Sequence, residues 1–136
     1  MGRILAIDFG EKRTGIAITD EIQLIASGLT TVNTIDLIKF LQDYTKNENV
    51  SLFLVGLPKQ MNNTPSQSEA LIVPFLKKLK QSIPSIPVER VDERFTSKMA
   101  FQSLLDGGAK KKQRKNKELI DEISATIILQ SYLYNK

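Results

Sequence analysis

Three places in this sequence set acidic side chains where they could do chemistry. Asp8 closes the apolar run Ile4-Leu5-Ala6-Ile7, the triplet Asp92-Glu93-Arg94 lies at the end of the alternating segment that begins at Val88, and Asp121 stands early in a long apolar segment. A carboxylate at the end of an apolar run is costly to desolvate unless it meets a cation or several hydrogen-bond donors. Carboxylates converging from remote parts of a chain repel one another, and divalent cations are the natural remedy. Mg²⁺, or Mn²⁺ in its place, prefers oxygen ligands and retains several waters, which suits phosphodiester cleavage by two ions roughly 4 Å apart. Adjacent acids on an extended strand point to opposite faces, so only one of Asp92 and Glu93 can readily share a site with Asp8. The longer reach of Glu93 favours it, with Asp92 as the competitor. Arg94 can pair with either acid or hold a phosphate.

The residue types that are missing narrow the chemistry further. The chain has no cysteine and no histidine. Disulfides, thiolate metal sites and thiol nucleophiles are therefore excluded, as are a histidine general base and an ordinary zinc site. Catalysis must rest on carboxylates, amines, hydroxyls or bound hard cations.

Charge points toward a polyanion. The net charge is +4, but Lys110, Lys111, Lys112, Arg114, Lys115 and Lys117 put six positive charges into eight positions, leaving the rest of the chain at −2. A local basic patch on a slightly acidic body suits phosphates, because each one neutralised releases condensed counterions. A solvated charge run explains the same segment as well. A second cationic cluster, Lys12 and Arg13, lies between Gly10 and Gly15, where glycine lets the backbone approach a ligand closely.

The elements that must position these groups follow from the pattern. Arg3 to Asp8 and Gly15 to Asp20 read as two strands of a hairpin, with Phe9-Gly10-Glu11-Lys12-Arg13-Thr14 as its turn, and Ala26 to Val32 reads as a third strand. From Thr34, a plausible N-cap, Ile35, Leu37, Ile38, Leu41 and Tyr44 recur at helical spacing. Ser51 to Val55 reads as a buried strand stopping at Gly56-Leu57-Pro58, and residues 59–65 as a loop. Ser66 and Glu69 have capping-box spacing before a helix over about 67–82, and Val88 to Asp92 alternates like a strand. Thr96 or Ser97 can cap a helix through Leu105, Gly107-Gly108 ends it, and Leu119 to Tyr134 forms a final helix. On that helix Asp121 shares an arc with Ala125, Ile128, Leu129 and Tyr132, while Ile120, Ile123 and Ile127 form a second apolar stripe, and the sequence leaves open which is buried.

This order predicts an α/β fold: a mixed five-stranded sheet, three antiparallel strands and then two parallel ones, with helices on both faces. At 136 residues and 41% hydrophobic content it is expected to be a single domain over 1–136. No apolar run suggests a signal peptide or a membrane span, so a cytoplasmic protein without membrane contact is expected. In such sheets ligands bind beyond the carboxyl ends of the parallel strands, the place where Asp8, Gly56 and Asp92-Glu93-Arg94 fall.

Four motifs in this order carry a family resemblance. Ile-Asp-Phe-Gly-Glu-Lys-Arg-Thr-Gly-Ile-Ala at 7–17, Val-Gly-Leu-Pro at 55–58, Asp-Glu-Arg-Phe-Thr-Ser at 92–97 and Ile-Asp-Glu-Ile-Ser-Ala at 120–125 resemble the YqgF, or RuvX, family. The match runs over nearly the whole chain. The resemblance implies a ribonuclease-H-like fold and divalent-metal-dependent endonuclease chemistry, with a role in maturing the 5′ end of 16S ribosomal RNA. It places the acidic, metal-holding site on Asp8, Glu93 with Asp92 beside it, and Asp121, and makes Lys12, Arg13 and Arg94 phosphate-facing. Structured RNA, branched DNA and the ribosome or its precursors are the implied partners, and the chain is expected as a monomer or weak homodimer. Two positions depart from the family pattern: Met61-Asn62-Asn63 lacks the usual Asp-Gly, and Ser124-Ala125 replaces a frequent Ala-Ala. Cleavage of Holliday junctions shares every motif with the RNA reading. A non-catalytic ribosome-associated RNA-binding module is the alternative from another class.

Overall fold

The computed structural model describes residues 2–57, 69–92 and 117–134, with the side chains of Asp92 and of residues 117–120 left aside. Strands β1 (Arg3–Asp8), β2 (Arg13–Thr19) and β3 (Ala26–Asn33) open the chain, followed by a 3₁₀ turn (Thr34–Asp36), helix α1 (Leu37–Asn47) and strand β4 (Val50–Leu57). Helix α2 (Glu69–Ser82), strand β5 (Val88–Asp92) and a last helix α3 (Lys117–Tyr134) complete the described elements. The expected helix from Thr96 or Ser97 to Leu105 lies outside the described residues.

The strands form one sheet in the order β3-β2-β1-β4-β5. β1–β2 and β2–β3 pair antiparallel, and β1–β4 and β4–β5 pair parallel, which agrees with the expected three antiparallel strands followed by two parallel ones. β1 is the middle strand and is apolar on both sides, because helices cover both faces. On one face Leu5, Ile7, Ile16, Ile18, Phe53 and Val55 pack with Leu37 and Leu41 of α1 and Ile72, Phe75 and Leu79 of α2. On the other, Ile4, Ala6, Ala17 and Leu54 pack with Ala125, Ile128 and Leu129 of α3. Burying a side chain the size of Leu or Ile stabilises by about 1.5–3 kcal/mol, so Ile128 and Leu129, both fully buried, contribute heavily to holding α3 down.

Small residues distinguish the α3 face. Ala6 and Ala17 lie flush with the sheet and, with Gly15 and Gly28, let α3 settle close to β2 and β3. The turn between β2 and β3 is closed by Asp20, whose Oδ1 accepts the amides of Leu24 at 2.7 Å and Ile25 at 3.1 Å while Gln23 takes the left-handed φ of 60°. Among the described residues no helix is long and apolar enough to cross a membrane.

A carboxylate pair at the end of the central strand

Asp8 is the last residue of β1, opposite Gly15 of β2 in the antiparallel register. Ile4 and Ala6 belong to the cluster under α3, and the two-residue alternation of a strand sets Asp8 on that same face, where it is half-buried. The helix then comes down on its neighbour. A Cβ built on Gly15 would collide with the main-chain carbonyl of Asp121 and lie 3.0 Å from the Asp121 Cβ. Gly15 therefore stands where it does for close packing: it admits the helix turn that carries the second carboxylate. The sequence places Gly15 at the start of the second strand, bracketing a loop that could approach a phosphate; in the structure β2 begins earlier, at Arg13, and Gly15 lies inside it under α3.

The choice between the two apolar stripes of α3 is settled by the same contact. Ala125, Ile128 and Leu129 are fully buried against the sheet and Tyr132 packs beside them, so the arc containing Asp121 is the one turned inward. Ile127 is also buried, which makes the apolar face of this helix broad. Asp121 is only a quarter exposed, and its Oδ2 accepts a hydrogen bond at 3.3 Å from Nε of Arg13, itself about one-third exposed. Arg13 thus faces a carboxylate of the site as well as the solvent from which a phosphate would come.

The β1–β2 loop is tied down from below. The Thr34 hydroxyl donates to the Gly10 carbonyl at 2.6 Å, and with its only proton so used it must accept from Thr14, whose Oγ1 lies 2.9 Å away. Thr34 N–H donates to the carbonyl of Lys12 at 3.0 Å. Thr14 is completely buried, and a Cβ on Gly10 would collide with the carbonyl of Arg13. Thr34 is accordingly not the helix cap that its position suggests. It sits inside the 3₁₀ turn, Asn33 precedes the turn with no side-chain cap bond, and the Thr34 hydroxyl is committed to the loop. Lys12 remains exposed at the loop tip. Phe9, between Asp8 and this loop, anchors it to the other side of the sheet through Phe75, ring centroids 5.0 Å apart.

The carboxyl ends of the parallel strands line up beside Asp8. Ile7 is level with Val55, Gly56 with Val91, and Leu57 with the backbone of Asp92. At about 4.8 Å between strands, the end of β5 lies about 10 Å from β1. Arg90, which the sequence does not single out, fastens this end. It donates to both carboxylate oxygens of Glu69 at 2.7 and 3.1 Å, to the Gly56 carbonyl at 2.8 Å and to the Val55 carbonyl at 3.2 Å. Glu69, the first described residue of α2, is thus engaged with Arg90. The only sequence signal for this pairing is that Arg90 shares the parity of Val88, on the side where α2 packs.

The structure brings together Asp8, Arg13 and Asp121, with Lys12 on the loop above. Glu93, Arg94, Lys110, Lys111, Lys112, Arg114 and Lys115 lie outside the described residues, as do Ser66 and Met61-Asn62-Asn63. Of Asp92 only the backbone is described. Among the described residues no group of three carboxylates capable of holding a metal is assembled. The two present, half-buried and oxygen-bearing at the mouth of the sheet, fit a hard cation as part of a larger set.

Comparison with known proteins agrees with this architecture. A family model described as RuvX, Holliday junction resolvase, matches residues 2–135. A protein of Christiangramia forsetii is 66% identical over 98% of this chain and 99% of its own length. One of Flavobacterium psychrophilum is 62% identical, and one of Phocaeicola vulgatus 61%, each over 100% of this chain and 98–99% of its own. All three are provisionally named pre-16S rRNA nucleases. Among solved structures, T. thermophilus RuvC in complex with a Holliday junction substrate superposes with a TM-score of 0.58 at 16% identity, over 99% of this chain and 95% of that chain. That likeness establishes a common fold.

Proposed function

The chain belongs to the RuvX family, and from that membership and the Asp8–Asp121 edge we propose that it is a divalent-metal-dependent endonuclease acting on the 5′ end of pre-16S ribosomal RNA. The observation that carries the chemistry is the convergence of Asp8 and Asp121 on Gly15. The Asp8 Cβ stands about 5 Å from the Cβ position of Gly15 opposite it, and the Asp121 Cβ lies 3.0 Å from that same position, so the two flexible carboxylates are within reach of one bound ion. Glu93 has the parity of Val91, which packs on the α3 side of the sheet, and on that ground it is the third ligand proposed in preference to Asp92.

Asp8, Asp121 and Glu93 would hold Mg²⁺ or Mn²⁺, which supplies an activated water and offsets negative charge developing on the phosphodiester. The chain's own residues do the rest. The Thr14–Thr34 pair holds the loop so that Lys12 and Arg13 face an incoming phosphate, and the segment from Lys110 to Lys115 extends the contact along the backbone. The curated relatives support RNA as substrate; the family description keeps branched DNA as the second reading. The protein is proposed to work as a single cytoplasmic domain, monomeric or weakly dimeric, on pre-ribosomal particles.

The deciding experiment is cleavage of a transcript spanning the 5′ region of pre-16S RNA, with a four-way DNA junction in parallel, with and without Mg²⁺. Wild-type protein is expected to cut the RNA only with the metal, and Asp8→Asn to bind it without cutting. Undiminished cleavage by Asp8→Asn overturns the site; cleavage of the junction alone overturns the substrate.

A further inference from the structure

Arg13 occupies an unusual place for a residue that is to meet phosphate, because its Nε already donates to Oδ2 of Asp121 at 3.3 Å. The backbones on both sides of this contact are held. Arg13 is paired with Asn33 in the β2–β3 register, and the Asp121 carbonyl is lodged over Gly15. Any exchange of partners must therefore occur in the guanidinium and the carboxylate themselves, both partly open to solvent. A guanidinium satisfies carboxylate and phosphate oxygens with the same planar array of donors, so it can pass from one to the other without losing its hydrogen bonds.

We propose that Arg13 and a divalent cation compete for the Asp121 carboxylate, so that an arriving phosphate, by drawing Arg13 away, opens Asp121 to the metal. Arg13 is then a positioning residue that couples nucleic-acid binding to metal loading. The inference rests on the reading of Asp121 as a cation ligand. Its energetic basis is repulsion between the single charge of the guanidinium, while it stays on Asp121, and the double charge of the cation, which in a solvent-screened site at a separation of about 5 Å amounts to roughly tenfold in metal affinity. Coupling between two ligands is reciprocal, so whatever RNA does for the metal, the metal does for RNA.

Mn²⁺ binding, followed by the loss of the free-ion electron paramagnetic resonance signal, tests this without any turnover. Arg13→Gln is expected to bind Mn²⁺ roughly tenfold more tightly than wild type, and Arg13→Lys, which keeps the charge, to stay near wild type. A 2′-O-methyl RNA oligonucleotide is expected to tighten Mn²⁺ binding to wild type and to leave Arg13→Gln unchanged. Unfolding midpoints of the variants verify that they are folded. Equal or weaker Mn²⁺ binding by Arg13→Gln, in a protein whose Mn²⁺ binding is lost in Asp121→Asn, overturns the competition and leaves the proposed site standing. Mn²⁺ binding that is indifferent to Asp121→Asn overturns both.

Discussion

Replacing Gly15 by alanine places one methyl group where the structure already has the Asp121 carbonyl and, 3.0 Å off, the Asp121 Cβ. Both obstacles are rooted in the backbone of α3, so neither can rotate away. The helix or β2 must move on the order of 1 Å to restore ordinary carbon contact distances. Overpacking of this kind costs about 1–3 kcal/mol. Lifting α3 also thins its contacts over Ala6 and Ala17, and a gap of this size forfeits about a quarter to a half of the dispersion attraction at Ile128 and Leu129. Together these effects predict a loss of about 3–5 kcal/mol in urea unfolding. The same displacement carries Asp121 away from Asp8, and a misplacement near 1 Å is expected to lower cleavage on the order of a hundredfold. Gly28→Ala is the matched control. Its added Cβ would lie 3.4 Å from Thr126 Oγ1 and 3.5 Å from Glu122 Cβ, ordinary contacts on the same helix, so it should change stability by less than about 1 kcal/mol. A Gly15→Ala protein that unfolds and cleaves like wild type would refute the argument that this glycine seats the site.

Other perturbations test the supports around the site. Arg90→Met strips donors from Glu69 and from the Val55 and Gly56 carbonyls and should cost about 2–3 kcal/mol, allowing for the partial exposure of the pair. Adding Glu69→Gln should recover part of that loss, and strictly additive effects in the double-mutant cycle would show that the two do not interact. Amide bonds from Ile25 and Leu24 hold the Asp20 carboxyl below the ordinary aspartate value of 3.8, so its contribution is complete above that value and is lost as pH falls through the lower folded one. The stability advantage of wild type over Asp20→Asn, read from urea midpoints, should therefore shrink as the solution is acidified below about pH 4, and a constant difference would contradict the assignment. Replacing Lys110, Lys111, Lys112 and Arg114 by glutamine should weaken RNA binding and flatten its dependence on salt, whereas an unchanged slope would mark the segment as solvated surface.

What the sequence determined by itself is local or periodic. An unbroken apolar run such as Ile4 to Ile7 announces a strand, the short turn-like interval to Gly15 announces a hairpin, and three-and-four spacing announces α1, because these patterns arise from backbone geometry acting within a few residues. The same reading yielded the mix of antiparallel and parallel strands, though not their order across the sheet, and marked Asp8 and Asp121 as acids needing a reason, since a carboxylate beside apolar neighbours is costly wherever the chain goes. Tertiary structure decided the partners. Helical periodicity defines two apolar stripes on α3 but carries no information on which meets the sheet; the small surface formed by Ala6, Gly15 and Ala17 makes that choice. Thr34 looks like a cap from its neighbours and becomes a loop anchor because Gly10 and Thr14, 24 and 20 residues away, are brought to its hydroxyl. The pairings of Arg90 with Glu69 and of Arg13 with Asp121 are invisible in one dimension, although Arg13 and Asp121 stand out singly. They acquire their roles only when strands and helices remote in sequence are packed to within a hydrogen bond of one another.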